Sequence, residues 1–220
     1  MLLKASVPVP RLWPDATLAC VANGPSLCQE DLTLLRERAI PILAVNSAIF
    51  HAPWAPVLYA PDAKWWGWHG AAAAALPAMG YTLSPEVAAQ YPHVACLDFA
   101  HEPGISWDRG RIHTNGHGGA QAINLAAHFG PRRIVLLGYD MRPAADGRHH
   151  AGAEHPDGSH VRYEQWLSVY AELRRALMAQ RIMLLNASRA TAIREVPHVT
   201  LRQALRPPPT LPLALEEQTA

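Results

Sequence analysis

The sequence predicts a single α/β domain with a mostly parallel sheet of about six strands and helices on both faces. Short apolar segments alternate with segments of helical periodicity, and parallel neighbouring strands require crossover connections of this kind. Two segments, RRIVLLGYD and RIMLLNAS, are continuously apolar, which is typical of strands that helices cover on both faces. With 220 residues, half of them hydrophobic, the chain is long enough to bury a sizeable core.

Six apolar segments that end at polar or glycine-containing turns are predicted as strands. They are 17–22, 42–45, 57–60, 93–97, 133–138 and 181–186. Four helices fit around them, at 26–38, 62–75, 118–129 and 163–180. Gly130 and Pro131 end the third helix, and the fourth has one apolar stripe at helical spacing, formed by Trp166, Val169, Tyr170, Leu173 and Leu177. We expect one domain over 1–206 and a Pro-rich C-terminal tail over 207–220.

The composition favours a small-molecule partner. Lys plus Arg total 19 and Asp plus Glu 18, so a net charge of +1 gives no electrostatic argument for a nucleic-acid or membrane-surface protein. Cys20, Cys28 and Cys96 have neither disulfide-framework nor metal-site spacing, which favours a reducing compartment. No apolar segment approaches the roughly 20 residues of a membrane span. We therefore expect a cytoplasmic protein, and a homo-oligomer is compatible with the sequence.

Four of the predicted strands are followed by a polar residue, at Asn23, Asn46, Asp62 and Asp140. In open α/β sheets, ligands bind outside the carboxyl ends of the strands, at a switch in strand order. These four side chains are therefore predicted to line one crevice.

The segment NGPS follows the first strand and has the chemistry of an anion-binding turn. Gly24 permits close backbone approach, Pro25 suits the first turn of a helix, and the hydroxyl of Ser26 can cap the helix or donate to a phosphate oxygen. The alternative is an ordinary Asn-Gly turn with a serine cap.

A second glycine-rich helix start, TNGHGG, has Thr114, Asn115 and Gly116 ahead of a helix of small residues. Two helix starts of this kind suggest a nucleotide ligand. The alternative is a loop whose glycines only let the helix pack closely on the sheet.

A polar loop of roughly twenty residues follows Asp140 and contains His149, His150 and His155. Long loops of this kind are usually functional or disordered. A histidine near its reference pKa can act as general acid or base at neutral pH. The spacing matches no compact zinc site, and surface histidines without a catalytic role are the alternative.

The segment DAKWWGWH places three tryptophans and His69 after the third strand, where they are candidates for stacking on a flat ring of a ligand. Aromatic residues at this spacing more often pack a helix on its sheet. We expect at least one of Trp65, Trp66 and Trp68 to lie in the core.

Several segments together resemble known families. They are ANGPSL, AVNSA, LYAPDAKWW, TNGHGGAQAINLAAHFGPRRIVLLGYDM and RHHAGAEHP, and their order spans residues 18–156. They resemble uncharacterised phage and prophage proteins of the MptE-like class, named for an archaeal 6-hydroxymethylpterin pyrophosphokinase. The scheme is also similar to that of the bacterial lipooligosaccharide sialyltransferases.

The resemblance implies a Rossmann-like, nucleotide-binding enzyme. By position, Asn23, Gly24 and Ser26 would hold phosphate and ribose, and Asn46 would reach the sugar or the leaving group. Asn115 and Gly116 would contact the base or the ribose. A histidine of the loop would be the general base, and the resemblance does not single out one of the three.

The expected function is that of a transferase that uses a nucleotide or nucleotide-sugar donor and moves a glycosyl or phosphoryl group. Asp140 would orient the histidine base, or Asp62 and Asp140 would hold Mg²⁺ if a pyrophosphoryl group moves. The alternatives are a non-catalytic, phage-encoded protein that binds a nucleotide or metabolite, and a structural subunit.

Overall fold

A computed structural model describes residues 8–114, 116–147 and 163–207 of the chain. The strands of these ranges are β1 (Thr17–Val21), β2 (Ile42–Val45), β3 (Val57–Tyr59), β4 (Met79–Thr82), β5 (Val94–Cys96), β6 (Asp98–Ala100), β7 (Arg111–His113), β8 (Arg133–Leu137) and β9 (Met183–Asn186). The helices are α1 (Gln29–Glu37), α2 (Ala48–His51), α3 (Ala63–Ala74), α4 (Pro85–Gln90), α5 (Gly118–His128), α6 (Tyr163–Leu167), α7 (Val169–Ala179) and α8 (Leu201–Ala204).

Seven of these strands form one sheet in the order β5-β4-β3-β2-β1-β8-β9, and β6 pairs separately with β7. Every neighbouring pair is parallel. From β1 the chain moves through β2 to β5 in one direction, whereas β8 and β9 lie on the other side of β1. The switch in strand order therefore falls between β1 and β8, and the predicted parallel α/β fold, Rossmann-like in arrangement, is confirmed.

Helices cover both faces of the sheet, which explains the continuous apolar strands. In β1, Leu18 and Cys20 belong to one hydrophobic core and Ala19 and Val21 to the other, and all four are fully buried. Helices α5 and α7 contribute to the first core, while α1, α3 and α8 contribute to the second. A strand buried on both faces has no polar side to present, so its sequence does not alternate.

All six predicted strands are present, with ends that differ by up to two residues, but the sequence prediction missed β4 in the main sheet. Its segment, MGYT, contains Gly80, and glycine is a poor strand former. A Cβ atom at Gly80 would lie 2.7 Å from Cγ2 of Val94 on the neighbouring strand. Glycine therefore allows close contact with β5 at a position where local sequence argues against a strand.

Two predicted helices differ from the observed ones. The helix predicted over 26–38 begins three residues later, because Pro25 and Ser26 form a turn that Asp140 holds. The helix predicted over 163–180 is divided into α6 and α7 at Ser168, which keeps helical backbone angles. None of the helices within the described ranges combines the length and the apolar character that a bilayer span needs. Of the predicted tail, 208–220 lies outside the described residues.

Candidate functional site

The strand order brings the ends of β3, β2, β1 and β8 side by side. Val21 is paired with Ala44 on one side and with Leu137 on the other. Asn23 lies two residues beyond the end of β1, and Asn46 directly follows β2. The amide side chains that follow β1 and β2 therefore stand next to the switch point, where ligands of parallel sheets bind.

The turns after β1 and β8 are in contact at two glycines, Gly24 and Gly138. The amide N–H of Gly24 donates to the carbonyl oxygen of Gly138 over 2.8 Å. A Cβ atom at Gly24 would lie 2.5 Å from that carbonyl oxygen and would collide with the carboxylate of Asp140. Gly138 itself has a φ of +67°, which L side chains rarely adopt. The two backbones thus meet with no room for a side chain between them.

Asp140 closes the turn after β1 instead of facing an open crevice. Its Oδ1 accepts the hydroxyl of Ser26 over 2.6 Å, and its Oδ2 accepts the amide N–H of Ser26 over 2.8 Å. Burial raises the pKa of this carboxyl group, against the opposing effect of the two bonds from Ser26 and the charge of Arg142. In this structure, the donors of Ser26 that were predicted for a ligand phosphate bond the carboxylate of Asp140.

The start of α1 is also unsuited to an anion. It begins at Gln29, and its first turn carries the carboxylates of Glu30 and Asp31. The guanidinium of Arg189 bonds the Asp31 carboxylate, with Nε 2.8 Å from Oδ2. Negative side chains already complement the partial positive charge of this helix end. Of the two predicted anion-binding helix starts, the one after NGPS is therefore the less favourable for an anion.

The start of α5 differs from the start of α1 in the residues of its first turn. Its N-cap residue, His117, makes no capping hydrogen bond, and the first two helical residues are Gly118 and Gly119. Asn46 approaches this point, with Nδ2 3.9 Å from the position that a Cβ atom would take at Gly118. A helix that begins with two glycines lets a negatively charged group approach the amide groups of its first turn.

Two buried tyrosines fix the first turns of α5. The hydroxyl of Tyr139, just after β8, donates to the carbonyl oxygen of Gly119 over 3.1 Å. The hydroxyl of Tyr59, at the end of β3, donates to Oε1 of Gln121 over 2.8 Å. Burial holds the pKa of both phenols well above the usual value, so both stay protonated donors. The sequence reading missed these tyrosines because they end apolar strands and look like core residues.

His117 packs against the helices that follow the histidine-containing loop. Its ring stacks on Trp166, with centroids 5.1 Å apart and an interplanar angle of 30°, and lies 5.7 Å from the ring of Tyr170. Burial lowers the pKa of His117 to about 4, so the imidazole is neutral at pH 7. In the sequence, Trp166 and Tyr170 belong to the predicted apolar stripe, and His117 was not among the predicted site residues. The signal was a histidine at an N-cap position, where Ser, Thr, Asp or Asn is usual.

Two buried acceptor atoms at the crevice lack partners. Oδ1 of Asn23 and Oδ1 of Asn46 have no hydrogen-bond partner among the described residues. A buried polar atom without a partner costs about 1 to 3 kcal/mol, so such atoms call for an explanation. Asn46 also has a φ of +51°, which asparagine tolerates better than most residues. Both atoms are acceptors, so they suit the O–H or N–H groups of a ligand.

The other predicted binding residues are placed less favourably. The hydroxyl of Thr114 lies 3.1 Å from Nδ1 of His101 and 3.5 Å from the carbonyl oxygen of Ala100, so it is engaged beside β6. Gly116 has a φ of +82° and lies under the indole of Trp166. Four further predicted site residues lie outside the described residues: Asn115, His149, His150 and His155.

Asp62 and Asp140 stand at the ends of β3 and β8, and β2 and β1 lie between those strands. Neighbouring strands are about 4.8 Å apart, so the two strand ends are separated by roughly 14 Å. Asp62 is the exposed N-cap residue of α3, while both oxygens of Asp140 are bound by Ser26. The topology does not support one Mg²⁺ ion shared by these two carboxylates. Within the described ranges, no group of three or more His, Cys, Asp or Glu side chains is placed to hold a metal ion.

Trp65 and Trp66 belong to the core, as expected for at least one of the three tryptophans. The indole N–H of Trp65 donates to the hydroxyl of Ser47 over 3.0 Å, and that of Trp66 donates to the carbonyl oxygen of Ala60 over 2.8 Å. Both bonds end at the turns that follow β2 and β3. Trp65 therefore supports the loop that carries Asn46, and Trp66 supports the turn after β3.

Comparisons with known proteins support the fold. Neither a protein-family model nor a curated protein sequence matches the chain. Among solved structures, the chain is similar to the MAf glycosyltransferase from Magnetospirillum magneticum AMB-1, with a TM-score of 0.62 and 13% sequence identity. The match covers 92% of this chain and 36% of the other, so the chain spans about a third of that enzyme's length. At this identity, the similarity to a glycosyltransferase establishes a common fold, and it does not extend the resemblance to MptE-like proteins or sialyltransferases.

Proposed function

We propose that the chain is a nucleotide-sugar-dependent glycosyltransferase whose donor binds at the carboxyl ends of β1, β2 and β8 and at the start of α5. The observation that carries the proposal is the pair of buried acceptor atoms on Asn23 and Asn46, which lack partners among the described residues and lie at the switch point. The fold shared with a glycosyltransferase is consistent with it. In this proposal, residues 1–206 form the nucleotide-binding domain and 207–220 a tail.

The chemistry of the crevice suggests where each part of the donor lies. Phosphate oxygens need donors and positive potential, which the first turn of α5 offers at Gly118 and Gly119. Sugar hydroxyls are donors, which suit the acceptor oxygens of Asn23 and Asn46. The carboxylate of Asp140 disfavours a phosphate at the turn after β1. This assignment departs from the one implied by the resemblance, in which that turn holds the phosphate.

Glycosyl transfer breaks the bond between the sugar and the donor phosphate and forms a bond to an acceptor hydroxyl, whose proton goes to a base. Amide groups at the start of α5 would stabilise the charge that grows on the leaving phosphate. For the base we keep the prediction from the sequence, His149, His150 or His155, since a histidine can accept a proton at neutral pH.

Calorimetric titration with CMP, GMP, UDP, ADP and ATP, with and without Mg²⁺, tests the proposal. At least one nucleotide is expected to bind, and Asn46→Gly is expected to weaken its binding about tenfold by removing one hydrogen-bond partner. Glycine accepts the positive φ of this position, so the backbone stays unstrained. Asp15→Gly is the matched control, because Asp15 is exposed and has a φ of +58°. If no nucleotide binds the wild-type protein, the proposal is wrong.

Replacing His149, His150 and His155 together with alanine separates an enzyme from a non-catalytic binding protein. The triple variant is expected to keep nucleotide affinity within about twofold and to lose release of the nucleotide from its sugar conjugate, because the base is removed and the binding groups remain. His93→Ala, at an exposed position just before β5, is the control. Unchanged turnover in the triple variant would refute the histidine base. Binding without turnover in the wild-type protein, across donors and acceptors, would favour the non-catalytic alternative.

A further inference from the structure

The N-cap residue of α5 does not perform the usual task of its position. N-cap side chains are typically Ser, Thr, Asp or Asn, and they accept a hydrogen bond from an amide of the first turn. His117 holds this position with extended backbone angles, φ −153° and ψ 154°, and its side chain makes no such bond. The first turn of α5 is therefore left uncapped by its own N-cap residue.

Aromatic packing determines where the imidazole of His117 goes. The ring stacks on Trp166 at the end of α6 and contacts Tyr170 of α7. A Cβ atom at Gly119 would lie 3.2 Å from both Nδ1 and Cε1 of His117 and 3.0 Å from Cε1 of Tyr139. The glycine thus lets the imidazole and a tyrosine ring approach the first turn together. His117 is held beside the helix end, and its polar atoms are not used for capping.

The opposite side of this helix end is the crevice. The Asn46 side chain reaches towards Gly118, and its buried Oδ1 lacks a partner in the part of the chain that the structure describes. Nε2 of His117 is likewise buried with no partner there. A serine in place of His117 would satisfy one amide of the first turn internally, and a ligand would then compete with the protein for that amide.

We propose that His117 is a positioning residue: because it stacks on Trp166 and Tyr170 and does not cap the first turn of α5, it lets the amides of that turn bind a phosphate or diphosphate group of the ligand. This inference rests on the proposed function in placing the phosphates of the donor at α5. It adds a residue that acts through the helix end and touches no reacting atom.

The test compares His117→Ser with His117→Ala, which differ only in the capping hydroxyl. The serine variant is expected to melt a few degrees higher than the alanine variant, as a restored cap does. It is also expected to bind inorganic pyrophosphate, UDP and CMP about fivefold or more weakly than the alanine variant, because one amide is no longer free. His117→Phe keeps an aromatic ring on Trp166 and is expected to bind these probes as the wild-type protein does.

The outcomes separate this inference from the proposed function. If pyrophosphate binds with the expected order of affinities and no nucleotide binds, the inference stands and the proposed function fails. If nucleotides bind equally well to the serine and alanine variants, the proposed function stands and the inference is overturned. Loss of binding in His117→Phe also overturns it, since the ligand would then need the imidazole itself. If neither pyrophosphate nor any nucleotide binds the wild-type protein, both proposals fail.

Discussion

Gly24→Ala is expected to destabilise the protein by about 1 to 3 kcal/mol and to abolish nucleotide binding, because a methyl group at this position overpacks the switch point. The added Cβ atom would lie 2.5 Å from the carbonyl oxygen of Gly138 and would collide with the Asp140 carboxylate. The carbonyl oxygen of Gly138 belongs to the backbone, so it cannot move aside by rotation of a side chain. The turns after β1 and β8 must therefore separate, which displaces Asn23 and the bonds between Ser26 and Asp140.

Urea denaturation measures the first effect and calorimetric titration the second. Gly67→Ala is the matched control, because Gly67 lies within α3 and a Cβ atom there meets nothing within 4 Å. It should raise the free energy of unfolding by about 0.5 to 1 kcal/mol, as alanine does in a helix. If Gly24→Ala is as stable as the wild-type protein, the turns after β1 and β8 are not in the close contact described above.

Lowering the pH from 7 to 4 is expected to reduce the free energy of unfolding by up to about 3 kcal/mol through His117 alone. The pKa of His117 falls from 6.5 to about 4 because burial disfavours the charged ring. Between these values the unfolded chain binds more protons than the folded one, so stability is lost as the pH falls. The contribution is fully present above pH 6.5.

His117→Phe tests this effect, since phenylalanine retains the aromatic contact with Trp166 and does not titrate. The free energy of unfolding of both proteins is measured in urea at several values between pH 4 and pH 7. The difference between the two curves isolates His117 from His128, whose pKa burial also lowers. The free energy of unfolding of the variant should fall less steeply than that of the wild-type protein as the pH is lowered. Parallel curves would mean that the pKa of His117 is the same in the folded and unfolded states.

The fold could be read from the sequence because its main signals are local. The continuously apolar strands, the glycine that ends α5 and the polar residues after β1, β2, β3 and β8 are visible in short windows. Strand β4 escaped prediction because the reason for Gly80 is a side chain on the neighbouring strand, Val94. The strand order itself depends on pairing between segments far apart in sequence, which local patterns do not encode.

The site was only partly predictable for the same reason. The sequence placed polar residues at the correct edge of the sheet. The pairing of hydrogen-bond donors with acceptors, however, depends on residues that are far apart in sequence. Ser26 and Asp140 are 114 residues apart in sequence, and their two hydrogen bonds join the turns after β1 and β8. The interactions of His117 with Trp166 and Tyr170 also join residues that are far apart in sequence. Histidine at an N-cap was the one local sign of this cluster.

The backbone contact between Gly24 and Gly138 also restricts how this protein can diverge. Gly24 lacks space because of Gly138 and Asp140, and Gly138 lacks it because its own Cβ atom would meet the carbonyl oxygen of Ala22. Because the carbonyl oxygens of Gly138 and Ala22 belong to the backbone, a larger residue at Gly24 or Gly138 requires a shift of the backbone itself. Asn46 is not among the residues that obstruct Gly24 or Gly138. New ligand specificities can therefore arise in the loop after β2 while the junction of the two halves of the sheet stays the same.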